Sequence, residues 1–185
     1  VTASGKRTGL QALSKLYIMF NAVLNVLAAP FWSEDPSVYK AMVSAVQKLN
    51  GHWDGFVNAD IPIYDSNAKE AVDTIKKAEE WADRNGYNNG FSKVCWPQVQ
   101  YAGRAYHLST QATVTMQRVD NSHNNIPMES PSNKEIMCTA QYFGASSENE
   151  GFDEQDGTEL NSKGITTAIF RDGLWVLWGP HTAYF

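Results

Sequence analysis

Residues 53–97 read WDGFVNADIPIYDSNAKEAVDTIKKAEEWADRNGYNNGFSKVCWP, and this stretch decides the fold. It opens on an apolar run, Trp53 to Asn58, that ends at the polar Asp60 and reads as a strand. Asp65 or Ser66 can then cap a long helix whose apolar face is Ala68, Val72, Ile75, Ala78 and Ala82. The opposite face carries Lys69, Asp73, Lys77, Glu80 and Arg84. Asp73 with Lys77 and Glu80 with Arg84 are acid-then-base pairs at i,i+4, each worth a few tenths of a kcal/mol on a solvated face. Asn85-Gly86 closes the helix. Phe91 to Trp96 is the next strand, and Pro97 stops it by removing a backbone donor.

The same alternation continues outward on both sides. Upstream, Leu10, Leu13, Leu16, Tyr17 and Phe20 follow helical spacing, and Asn25 to Ala29 is a short buried strand closed by Pro30. Ser33 or Asp35 can cap a helix with Pro36 near its first position. That helix shows Tyr39, Met42, Val43, Val46 and Leu49 on one face, and Asn50-Gly51 ends it. Downstream, Ser109 starts a helix with Ala112, Met116 and Val119 on one side. Residues 121–134 are a loop rich in Asn, Ser and Pro, and Thr158 to Ser162 form a short helix ended by Gly164. Ile165–Phe170 and Leu174–Trp178 flank Arg171-Asp172-Gly173, a hairpin signal because Asp-Gly suits the positive φ of a tight turn. Strands separated by helices predict an α/β layered domain, a largely parallel sheet flanked by helices, made mixed by the C-terminal hairpin.

Composition narrows the function. The 185 residues suit one domain, are 43% apolar and 19% charged, and carry a net charge of −5. An acidic balance with dispersed basic residues argues against a nucleic-acid partner. The most apolar stretch, Val23 to Trp32, is too short for a membrane span and holds Asn25 and Pro30. Ser4, Gly5, Lys6 and Arg7 lead into an amphipathic segment rather than a signal peptide. Cys95 and Cys138, in unrelated contexts, read as two free thiols of a reducing compartment. The first residue is not Met and the last, Phe185, follows an apolar run, so the expectation is a piece of a longer chain.

No phosphate-binding glycine loop is present, and Gly86 to Lys93 reads as a helix-to-strand turn. His52, His107, His123 and His181 share no metal-ligand spacing, so no metal or cofactor is expected. Asp60, His107 and Ser109 can be assembled into a hydrolytic triad, but no elbow motif presents a serine, and Ser109 reads better as a helix cap. Glu148, Glu150, Asp153, Glu154, Asp156 and Glu159 lack calcium-loop spacing. They read as a solvated acidic loop over residues 145–157, either solubilising or a salt-sensitive contact to a partner. The charge is concentrated there: residues 148–159 hold six acids and no bases, leaving 14 acids against 15 bases elsewhere.

Two segments carry a resemblance. Trp96-Pro97-Gln98-Val99 is followed by Leu108-Ser109, by Arg118-Val119-Asp120, and by Ser130-Pro131-Ser132-Asn133. Leu160-Asn161-Ser162-Lys163-Gly164-Ile165-Thr166-Thr167 leads through Gly173 to Trp178-Gly179-Pro180-His181-Thr182. Their order resembles the tail sheath proteins of contractile bacteriophages, over residues 8–184. Pro180-His181 departs from the family's more frequent Asn-Arg, and the acidic loop lies where the family varies. The resemblance implies a subtilisin-like core without a working protease triad, hence no enzyme. It further implies a structural subunit that forms hexameric rings with other sheath subunits around a tail tube. The lattice contracts on host contact and drives the tube through the envelope, and strands exchanged between subunits knit it together. The expected place is the virion tail, after assembly in the host cytoplasm. A chain without the exchanging arms is expected to be monomeric or weakly associated. The sheath of a phage-derived bacteriocin or injection system is an alternative on the same fold, and a subtilisin-like hydrolase is the alternative of another class. Trp178 reads as core rather than as an exposed anchor.

Overall fold

The computed structural model describes residue 5 and residues 7–184; Ser4, Lys6 and Phe185 lie outside the described residues. A short 3-10 stretch and α1 (Leu16–Phe20) precede β1 (Val26–Ala28), and α2 (Pro36–Val46) leads to β2 (Phe56–Asp60). β3 (Tyr64–Asp65) and β4 (Glu70–Ala71) form a small hairpin before α3 (Ile75–Asn85) and β5 (Ser92–Cys95). β6 (Gln98–Tyr101) and β7 (Arg104–Tyr106) precede α4 (Leu108–Ser122) and β8 (Ala140–Tyr142). The remainder is α5 (Glu154–Ser162), β9 (Ile165–Arg171) and β10 (Leu174–Trp178).

The main sheet has the order β1-β2-β5-β9-β10. The first four strands are parallel and β10 returns antiparallel on β9, turning at Asp172 (φ 52°) and Gly173 (φ 83°). This is the mixed, largely parallel α/β arrangement that the strand–helix alternation predicts. Side chains alternate across the strands, so each strand feeds two cores. Val57, Ala59, Val94 and Ile165 pack with Tyr39 and Met42 of α2, Ala78 and Trp81 of α3, and Leu160 of α5. Cys95, Ala168 and Leu177 face the other way, onto Leu108 and Ala112 of α4. Burial on both faces is why these strands read as continuous apolar runs.

α2 begins as expected. Asp35 accepts from the Ser37 and Val38 amides, Pro36 takes the first turn, and Tyr39, Met42, Val43 and Val46 are buried. The helix stops at Val46 rather than at Asn50-Gly51, and Leu49 is buried beyond its end. Asp35→Ala removes the cap and is expected to lower the urea midpoint at unchanged slope.

Several expectations are corrected. The long helix from Asp65 or Ser66 is instead a hairpin followed by a shorter helix. The Asp65 carboxylate accepts from the Asn67 and Ala68 amides, and Lys69 adopts φ 57°, so the chain turns back. Thr74 caps α3 by accepting from the Lys77 amide. Asp73 and Lys77 pair at 2.7 Å, but Arg84 leaves Glu80 for Asp65 at 2.9 Å, and Glu80 faces Lys76 instead. The N-terminal helical face is kept only in part: Leu10, Leu13 and Leu16 are half-buried, Leu10 against the core, whereas Tyr17 and Phe20 are exposed. The segment after Pro97 is a strand pair, and β8 joins it to make a second sheet, order β7-β6-β8, that the sequence reading missed. Its signal was the Ala102-Gly103 turn, both residues at positive φ, between the alternating runs 98–101 and 104–106.

Candidate functional site

The motif residues of 118–133, 160–166 and 178–182 gather toward the end of the sheet where the parallel strands begin, whereas Trp96-Pro97 and Leu108-Ser109 follow the finishing ends of β5 and β2. Chain leaving β10 passes under Gly164 and Thr166 at the start of β9 and reaches the start of β5. There the Ala183 amide donates to Ser92 O at 2.8 Å. The loop 130–133 lies beside it. Asn133, at φ 63°, donates its amide to Leu177 O, and Ser132 Oγ accepts from the Gly179 amide at 3.2 Å. Ser130 Oγ accepts from the Ser132 amide and fixes the turn around the part-buried Pro131. Arg118, exposed on α4, donates to Glu135 O, and Asp120 O accepts the amides of His123 and Asn125 at the helix end. Thr182 is half-buried along the crossing segment.

The glycines here are dictated by space. A Cβ on Gly164 (φ 73°) would lie 3.0 Å from Ala183 Cα and 3.0 Å from Thr182 O. Asn161, which the motif carries but the residue chemistry alone did not single out, is the hinge pin of the corner. With its amide nitrogen facing two carbonyls, it donates to Ile165 O (2.9 Å) and Trp178 O (3.1 Å) and accepts from Trp178 Nε1 (3.0 Å). Trp178 is half-buried over Gly157, with Arg171 stacked 5.4 Å above its ring. Trp96 is fully buried, donates to Val72 O at 3.1 Å, and packs on Phe143 and Phe152; Pro97 follows through a cis peptide bond. Gly173 supplies the β9–β10 turn, well away from this corner.

At the opposite end of the sheet, where β2 finishes, lies the most polar buried cluster. The structure brings Asp60, His107 and Ser109 together and adds Ser33 and Glu34. Asp60 accepts from the Ser109 amide (2.9 Å) and the Ser109 hydroxyl (2.5 Å), and Ser33 Oγ donates to it at 3.4 Å. His107 Nδ1 lies 3.2 Å from Glu34 Oε1 and 3.8 Å from Asp60 Oδ2. Ser109 is therefore capped rather than capping: the Asp60 carboxylate satisfies the first turn of α4, and His107 is the N-cap position without a side-chain bond. Nucleophilic catalysis needs the hydroxyl on the imidazole. Here it is on a carboxylate, and Ser109 is fully buried.

Burial pushes the Asp60 carboxyl up to about 6, outweighing the Ser109 hydrogen bonds and the His107 charge, with Glu34 acting in the same upward direction. For His107 burial alone works downward, but the Glu34 hydrogen bond and the Asp60 and Glu34 charges prevail and raise it above its ordinary value. Among the described residues, no three His, Cys, Asp or Glu side chains come together as metal ligands. Cys95 and Cys138 are both free and buried.

The acidic segment is corrected in part. Glu154 to Gly157 are not loop but the first turn of α5, closed by a reciprocal cap between Asp153 and Asp156. Acids at a helix start oppose the macrodipole favourably. Two outer surfaces remain. β1 ends the sheet as a half-buried edge strand, whereas β10 is covered by residues 133–136, whose backbone pairs with Trp175 and Leu177. Beside β1, Ile18, Met19, Phe20, Phe31 and Trp32 are exposed.

No protein-family model matches the sequence. A Pseudomonas aeruginosa (strain UCBPP-PA14) protein that carries the name of a prophage major tail sheath protein is 29% identical over 188 residues, covering 98% of this chain. The chain spans 44% of the length of that curated relative. Among solved structures, a chain of the six-fold symmetrised anti-feeding prophage baseplate shares the fold, with a TM-score of 0.55 and 19% identity over 96% of this chain and 44% of its own. The motif order 96–133 and 160–182 and the mixed α/β architecture agree with this similarity to a prophage tail sheath protein.

Proposed function

We propose that this chain is the core of a sheath subunit of a contractile phage tail, a structural element that polymerises with copies of itself around a tail tube and contracts to drive the tube through the host envelope. The observation that carries this reading is the likeness to a prophage sheath protein along 98% of the chain. The core is subtilisin-like in plan with a mechanical rather than chemical role, in keeping with a Ser109 hydroxyl bound to Asp60 instead of His107. The partners are other sheath subunits, in hexameric rings, and the tube. The open edge at β1 suits added strands, because unpaired backbone groups there accept another chain's ladder. The protein sits in the virion tail after assembly in the host cytoplasm. The fold shared with an anti-feeding prophage baseplate chain supports the second reading, a phage-derived injection system.

The test is assembly. The full-length gene product is expected to form tubes or six-fold rings by negative-stain microscopy, while the 185-residue chain sediments as a monomer or weak oligomer. A full-length product that stays monomeric at high concentration, with and without tube protein, would overturn the sheath reading. Stable tubes from the 185 residues alone would overturn the claim that assembly needs further segments.

A further inference from the structure

Lys93 is 4% exposed and has no carboxylate partner. It sits near the start of β5, in register with Asn58, on the sheet face that carries α4. Its ammonium donates to Gly179 O (2.7 Å), His181 O (2.9 Å) and Thr166 Oγ1 (3.3 Å). All three donors are spent, and two of them on backbone carbonyls of one segment, residues 179–181. A buried cation is costly unless such partners replace its water. Burial accordingly lowers the Lys93 pKa. A methionine of similar length would fill this place with no charge to desolvate. A lysine here is therefore not explained by core packing.

The segment that Lys93 grips is the strap that crosses under the sheet from β10 to β5. Its other ties include the Gly179 amide on Ser132 Oγ and the Ala183 amide on Ser92 O. A cavity of about 300 Å³ opens beside it, lined by Phe56, Met116, Met128 and Pro180 together with Lys93. The strap thus has room to lift on one side and is held on the other. In strand order, the strap is the route from the edge hairpin back to the middle of the sheet.

We propose that Lys93 is a positioning residue that clamps residues 179–183 onto β5 and so fixes the direction in which the chain leaves the core. On the sheath reading, the clamp is where load on the following chain enters the parallel sheet. The clamp itself does not depend on that reading, and its test needs no assembly.

The experiment is amide hydrogen exchange on the 185-residue chain, with Lys93→Met and Lys93→Gln. In Lys93→Met the Ala183 amide is expected to exchange at least ten-fold faster. The Trp96 amide, bonded to Thr166 O at 2.9 Å in the neighbouring ladder, is expected to keep its rate, and the urea midpoint to stay level or rise. That split separates positioning from general support, which would move both amides together. Lys93→Gln retains one donor pair and is expected to fall between; it serves as the reporter if Lys93→Met does not fold. Unchanged Ala183 exchange in both variants, or equal acceleration of Ala183 and Trp96, overturns the proposal. Neither result would bear on whether the full-length product forms a sheath.

Discussion

Gly179→Ala is expected to lower stability by about 3–5 kcal/mol, a fall in Tm of roughly 10 °C for a chain of this size. Two costs combine. The residue has φ 152°, outside the range that an L side chain adopts comfortably. The added Cβ would lie 2.5 Å from Thr166 Oγ1, 2.9 Å from the Asn161 amide and 2.9 Å from Thr166 Cα. The first two atoms can rotate away, though each then abandons a hydrogen bond: Thr166 with Lys93, Asn161 with Trp178. The third is strand backbone and moves only if β9 moves. Gly103→Ala provides the control, since Gly103 has φ 74° but nothing within 4 Å of its Cβ position. It should cost only about 1 kcal/mol. Thermal melts of both variants decide the matter: equal losses would mean that crowding at Gly179 contributes nothing.

Asp60→Asn is expected to erase a pH dependence worth ~3 kcal/mol, the difference between carboxyl values of 3.8 and about 6. Below pH 4 the group is protonated in both the folded and the unfolded chain. Between pH 4 and 6 the unfolded chain releases its proton while the folded one holds it. Unfolding free energy therefore falls across that window and is level above it. His107 acts in the same sense: its value is raised on folding, so its contribution is complete below 6.5 and is lost as pH rises through the folded value. In the variant, an amide oxygen can still accept from the Ser109 amide, and no carboxylate needs to ionise in the core. The difference in urea midpoint, variant minus wild type, should thus grow from pH 4 to 6; above that it changes only through His107, whose raised value the Asp60 charge helps to set. Because the acids remote from Asp60 cancel in that difference, a flat line between pH 4 and 6 would refute the account.

The legible part of the fold was its periodicity. Apolar runs at 53–58, 91–96 and 165–170, parted by helical spacing, pointed to a largely parallel sheet, because strands covered on both faces leave long apolar signatures. The Asp172-Gly173 turn was legible for a similar local reason: positive φ leaves a compositional mark. The helix expected from Asp65 failed because its spacing was compatible with a helix while a side chain chose otherwise. Asp65 offers its carboxylate to the two following turn amides and to Trp81 and Arg84, and the latter two come from residues far along the chain. The second sheet was missed because β8 joins β6 from some forty residues away, a pairing no local window contains.

The site divided along the same line. By itself the sequence determined the residue types: small residues and turn formers at 130–133, glycines at 164 and 179, an asparagine at 161, and an order of motifs that resembles the sheath family. It determined these because steric limits on φ and the hydrogen-bonding capacity of short polar side chains are properties of single residues. The tertiary structure alone decided their partners. It placed the Ser109 hydroxyl on Asp60 rather than on His107, closed Gly179 against Thr166, and set a lone buried ammonium, Lys93, on two carbonyls more than eighty residues away. Those outcomes depend on which strands lie side by side. That is fixed by the burial of both sheet faces over the whole chain, and not by any segment of it.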